Sequence, residues 1–169
     1  LLNSRYIDKK IEKSLLDEML SAANLAPSWK NSQTPRFYVA TGEKSKNAVR
    51  EALPEFNRKN SENASAYIVT TVVLNRSGFD KDGTAVTEIG NGWGYYDLGL
   101  NNMALLLKAT ELGISTLVMG IRDGEKLRKE FDIPETEAVV SVIAVGYTDS
   151  EIVRPKRKSV EDFAKFYED

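Results

Sequence analysis

Ala26-Pro27-Ser28-Trp29-Lys30-Asn31-Ser32-Gln33-Thr34-Pro35 is the stretch best equipped for chemistry. Between its two prolines stand the carboxamides of Asn31 and Gln33, the serine hydroxyls of Ser28 and Ser32, and a lysine. Each proline fixes φ and biases the residue before it toward extended geometry, so the loop should be stiff. A stiff loop carrying paired donors and acceptors suits holding the edge of a flat heterocycle. The same composition also describes a polar surface turn.

What the chain lacks narrows the chemistry further. It has no cysteine, hence no disulfide, no thiolate metal site and no thiol nucleophile. It has no histidine either, which removes the usual general base and the commonest metal ligand. A Ser-His-Asp hydrolase, a zinc hydrolase and a CxxC oxidoreductase are thereby excluded, and no metal site is expected. Redox activity would have to be borrowed from a bound organic cofactor. A net charge of −2 suggests no partnership with nucleic acid or a membrane surface, with Lys156, Arg157 and Lys158 a short local exception.

The 169 residues, 41% of them hydrophobic, fit one domain spanning residues 1–169, or one protomer of an intertwined dimer, with a real core. No run approaches the ~18 apolar residues of a spanning helix, and no secretory pattern opens the chain. Cytoplasmic localisation is compatible with this. The chain starts at Leu1 rather than methionine, which leaves its true N-terminus open.

The elements that must position the loop follow from periodicity. Leu15, Leu16, Met19, Leu20 and Ala23 form the stripe of a half-buried helix, with Ser14 as its N-cap and Pro27 as its stop. Residues 36–41 predict a strand, and residues 45–53 a polar helix halted by Pro54. Residues 57–63 read as a polar connection. Residues 66–74 predict a strand apolar enough to be central in a sheet. Residues 75–94, rich in Gly, Asp and Asn, form a long aperiodic segment of the kind that binds or covers a ligand. Residues 95–112 predict an almost continuously apolar helix capped by Gly113, buried either in the core or against a second protomer. A strand from Ser115 to Val118, a helix over 125–131, a strand over 138–145 and a weakly helical tail over 160–167 complete the pattern. No glycine fingerprint of the dinucleotide or P-loop type follows any strand.

Ala26, Pro27, Ser28, Asn31, Gln33 and Phe37 stand in register with a motif of the nitroreductase family of flavin mononucleotide (FMN) oxidoreductases, which the chain resembles. Thr34 stands where that family usually has proline, and Pro35 where it often has tryptophan. The closing segment from Arg154 to Phe163 is similar to the family's proline-and-arginine segment. Residues 97–103 and Glu111-Leu112-Gly113-Ile114 are similar to its core helix.

The resemblance implies an α+β fold with a mixed, largely antiparallel central sheet flanked by helices. It also implies an intertwined homodimer with flavin at the interface. Its activity would be hydride transfer from NADH or NADPH, through FMN, to a nitroaromatic or quinone. A flavin- or ligand-binding protein without turnover is the alternative. No catalytic side chain is implied, because the flavin N5 carries the chemistry. Asn31 would meet the pyrimidine edge of the ring, with Ser28 and Gln33 as second choices that could instead cap the helix or brace the loop. Pro27 belongs to the same cofactor motif.

Backbone amides at Met119 and Gly120 would approach N5. Arg157, with Lys156 or Lys158, would hold the phosphate, unless this segment is only a solvated basic tail. At the N-terminus, Arg5 aligns with a phosphate arginine only through a one-residue gap, which sets Asn3 in place of serine and Leu1 in place of the first arginine. The ungapped alignment puts Ser4, Leu1 and Leu2 on those contacts. Either way the clamp is depleted, or residues are missing. Loss of one paired arginine costs about 1–3 kcal/mol of affinity. Trp29, Trp93, Tyr95 and Tyr96 could line a flat pocket or pack in the core or an interface.

Overall fold

The computed structural model describes residues 6–149 and 155–168. Asn3 and Arg5 therefore lie outside the described residues. Five strands, β1 (Tyr6–Ile7), β2 (Pro35–Ala40), β3 (Ala66–Val73), β4 (Ser115–Met119) and β5 (Glu137–Thr148), form one sheet. Its order is β2-β3-β5-β4, with β1 joining the last two residues of β5, and every pairing is antiparallel. Among the described residues five helices flank it: α1 (Lys13–Asn24), α2 (Glu43–Glu51), α3 (Glu55–Asn60), α4 (Gly92–Glu111) and α5 (Gly124–Glu130). The sheet is thus antiparallel and helix-flanked, the α+β architecture that the resemblance implies.

Period-2 alternation along the central strands sorts the core into two layers. Tyr67 and Val69 of β3, with Val142 and Ala144 of β5, pack against Val49 of α2 and Leu127 of α5. Ala66, Ile68, Ile143 and Val145 point the other way, onto Leu16, Met19 and Ala23 of α1 and Leu105 and Ala109 of α4. Helices cover both faces of β3, so its sequence is apolar throughout rather than alternating.

Several boundaries depart from the sequence reading. The N-cap of α1 is Glu12, in extended geometry, and Ser14 lies inside the first turn. Helix α3 occupies what read as a polar connection. Its six residues bury no side chain and Phe56 is exposed, so no apolar stripe announces it. Helix α4 begins at Gly92, three residues before Tyr95, because Gly94 is packed rather than turning: a Cβ there would sit 2.9 Å from Val72 Cγ2. Strand β5 runs past Gly146 to pair with β1. A Cβ at Gly146 would sit 2.8 Å from Tyr6, whose hydroxyl donates to the Ala144 carbonyl at 3.0 Å. Among the described residues of the tail, only Val160–Asp162 forms a helical turn, closed by a reciprocal Ser159–Asp162 cap.

Helix α4 buries one stripe within the chain, namely Asp97, Leu98, Asn101, Leu105 and Ala109. Its other side leaves Tyr95, Tyr96, Met103 and Leu107 45–60% exposed. Burial on most of its surface, as the composition suggested, is not achieved by one copy of the fold. No helix among the described residues is long and apolar enough to cross a membrane.

Candidate active site

The loop joining α1 to β2 is rigid for reasons beyond its prolines. Lys30, Asn31 and Gln33 have φ of 46°, 54° and 49°, the left-handed region that L-residues other than asparagine and aspartate seldom enter. Such backbone persists only where its surroundings fix it. Here Ser28 Oγ accepts the Gln33 N–H at 3.0 Å, and the Thr34 carbonyl accepts the Val73 N–H at 3.0 Å, fastening the loop to the sheet.

The strongest tie is to α4. Asp97 is 2% exposed, and its carboxylate accepts the Trp29 N–H at 3.1 and 3.2 Å and the Ser77 hydroxyl. A buried carboxylate is costly unless its lone pairs are met, and here two donors from separate segments meet it. The Asp97 carbonyl in turn accepts Asn101 Nδ2 at 3.1 Å. Asp97 therefore joins the loop, the segment after β3 and the face of α4 at one point. Sequence reasoning placed this residue only in a packed helix. An aspartate amid the apolar residues of α4 was the available signal.

A cavity of about 420 Å³ opens beside the loop, within the range of small-ligand sites. Ser28, Ser32, Gln33, Arg36, Arg76 and Asn101 supply its polar walls, with Phe37 and Pro35 as apolar surface. Ser28 and Gln33 thus line it. Asn31 and Pro27 are exposed and are not among its walls. Met119 is buried in the core layer that faces α2 and α5, whereas Gly120 is exposed, with open space where a Cβ would stand. Lys156 and Arg157 are exposed on the tail and are not among the cavity's walls. Arg36, Arg76 and Asn101 carried no site reading in the sequence.

Trp29 and Trp93 meet at 4.8 Å between centroids with their planes tilted by 46°, and Trp93 meets Tyr96 edge-on at 5.7 Å. Trp93 Nε1 also donates to Thr87 Oγ1 at 2.8 Å, so the long segment before α4 is pinned to the same cluster. These rings pack on one another and are not walls of the cavity.

Six buried side-chain polar atoms lack a hydrogen-bond partner among the described residues, and three belong to this loop: Trp29 Nε1, Ser32 Oγ and Thr34 Oγ1. A fourth, Asn102 Oδ1, lies on α4. Native proteins seldom leave such atoms unmet, and half of the six stand on this one loop. Among the described residues no group of three or more acidic side chains is placed to hold a metal ion.

Comparison with known proteins identifies the family and the fold. The model of the nitroreductase family matches residues 4–147. A relative from Archaeoglobus fulgidus, provisionally named NADH dehydrogenase/NAD(P)H nitroreductase, is 28% identical over 153 residues, covering 86% of this chain and 79% of its own. A nitroreductase family protein from Streptococcus pneumoniae superposes with a TM-score of 0.82 at 21% identity, over 98% of this chain and 94% of that one. An FMN-dependent nitroreductase from Clostridium difficile gives 0.70 at 25% identity, over 95% and 88%. With most of its length matched by the family model and the same architecture in these structures, the chain belongs to the nitroreductase family.

Proposed function

We propose that this protein is an FMN-dependent oxidoreductase that takes hydride from NADH or NADPH and reduces a small flat acceptor such as a nitroaromatic or a quinone. The observation that carries the reading is the rigid 26–35 loop, with three unmet buried polar atoms and a polar-walled cavity beside it. Carboxamides, hydroxyls and guanidinium groups are the donors and acceptors that a flavin's ring edge and phosphate require, so the residues present fit the group. When bound, the flavin supplies the hydride-accepting and hydride-donating centre.

The chain's own residues would bind and orient it. Ser28 and Gln33 would contact the ring edge from the cavity wall. Asn31 and Pro27 would present the outer side of the same loop. Met119 and Gly120 would offer main-chain N–H groups at the end of β4, and Lys156 and Arg157 charge for the phosphate. One copy does not gather all of these into one cavity. A homodimer would complete the site, with the exposed Tyr95, Tyr96, Met103 and Leu107 face of α4 as its seam.

Purified protein should be yellow, bleach on adding NAD(P)H, and recover in air or with a quinone. A colourless preparation that gains no flavin spectrum on titration with FMN would refute the reading. Leu1 and Leu2, standing at phosphate-contact positions in the ungapped alignment, favour one other outcome, flavin binding without turnover. Negligible steady-state NAD(P)H oxidation by a yellow protein would select it. Sedimentation as a monomer at micromolar concentration would count against the shared site.

A further inference from the structure

The cavity beside the loop carries a charge pattern that the family reading does not assign. Two guanidinium groups, of Arg36 and Arg76, are among its walls, and no carboxylate is. The buried carboxylate behind the loop, Asp97, is taken up by Trp29 and Ser77. The Arg76 side chain makes no hydrogen bond or ion pair with any described residue. Arg36 spends Nη1 on the Gln33 and Pro35 carbonyls, at 2.7 and 2.8 Å, which fixes the guanidinium and leaves its other N–H groups uncommitted. Ser32 adds a buried hydroxyl without a partner, and Asn24, Gln33 and Asn101 add carboxamides. Phe37 and Pro35 supply a flat apolar wall.

We infer that this cavity is an oxyanion site, in which Arg76 and Arg36 hold the phosphate or carboxylate of a ligand whose ring lies against Phe37 and Pro35. A guanidinium fork matches either group with two parallel hydrogen bonds, and a wall free of acidic side chains adds no competing charge. Pairing of β2 with β3, Pro35 opposite Val72, brings Arg36 and Arg76 to the same end of the sheet. Two sources of the anion share this chemistry: an anionic acceptor, or the flavin's own phosphate, which would then lie here and not at Lys156 and Arg157. The identity of either rests on the function proposed above; the charge pattern does not.

Arg76→Gln is the decisive variant, since the side chain it alters has no structural partner, and Arg76→Lys is its charge-preserving control. Four probes separate the sources: FMN against riboflavin, and 4-nitrobenzoate against nitrobenzene. Binding is read by flavin fluorescence quenching and by calorimetry on flavin-free protein. If the anion is the flavin phosphate, Arg76→Gln weakens FMN roughly ten- to a hundredfold and leaves riboflavin unchanged. If it belongs to the acceptor, the same loss falls on 4-nitrobenzoate and spares nitrobenzene. In both cases Arg76→Lys recovers part of the affinity. Equal affinities of wild type and Arg76→Gln for all four probes would overturn the inference. A wild type that binds neither flavin would instead remove the proposed function, while the nitrobenzoate–nitrobenzene pair would still decide the cavity.

Discussion

Replacing Asp97 by alanine should release the 26–35 loop from α4. The change removes the acceptor of two donors, the half-buried Trp29 N–H and the buried Ser77 hydroxyl, at a carboxylate that is itself buried. The bond from Trp29 is shared between the two carboxylate oxygens, so it counts once. Hydrogen bonds to charged groups contribute about 1.5–3 kcal/mol each, giving a gross loss of about 3–6 kcal/mol. Relief from burying a carboxylate offsets part of this, leaving a net destabilisation of about 2–4 kcal/mol. For a chain of this size the midpoint of thermal unfolding should fall by about 4–16 °C.

Two measurements check the argument. Urea denaturation gives the free energy. The close Trp29–Trp93 pair should give coupled far-ultraviolet circular dichroism bands that collapse once Trp29 is unmoored. Asp97→Asn, which keeps one acceptor and the side chain's shape, should retain more of both signals. An alanine variant within about 0.5 kcal/mol of wild type, with its tryptophan bands intact, would refute the idea that Asp97 holds the loop.

Three further outcomes are expected. Burial, with the Glu137 carboxylate that accepts its hydroxyl, pushes the Tyr38 phenol up to about 12, and burial also raises Tyr6 and Tyr67. The stability these neutral phenols contribute is complete below the unfolded value of about 10 and is lost as pH rises through the folded values, so urea midpoints should decline above about pH 10 and Tyr38→Phe should flatten the decline. Gly94→Ala should cost about 1–3 kcal/mol, read by thermal melting, because its Cβ would meet Val72 Cγ2 at 2.9 Å with no flexible end to yield. Leu107→Glu, at a side chain 58% exposed in one copy, should leave folding within about 0.5 kcal/mol in a monomer yet shift sedimentation from dimer to monomer if α4 is the seam.

Long apolar runs made the centre of the fold legible. Strands β3 and β5 are buried on both faces, so their residues announce themselves without any partner, and the stripe Leu16, Met19, Ala23 does the same for α1. Elements with no buried face left no such trace. Helix α3 covers nothing with its six residues, and β1 is two residues whose place is set by the end of β5. The motif loop was legible because its residue types are unusual together. Its stiffness has a further source that composition did not suggest, left-handed backbone at three of four successive positions, Lys30, Asn31 and Gln33.

Residue types alone, with imidazole and thiol both missing, determined that any electron transfer must rely on a borrowed organic group. They also singled out the 26–35 loop as the stretch richest in paired donors and acceptors. Only the tertiary structure decided what stands around that loop. Trp29 meets Asp97 across 68 positions of sequence, and the β2–β3 pairing sets Arg36 and Arg76 on the walls of one cavity, placements that no local pattern encodes. The reason is physical: periodicity reports which face of an element is buried, whereas a site is made where separate elements bring polar groups to one point, and that depends on how the layers pack.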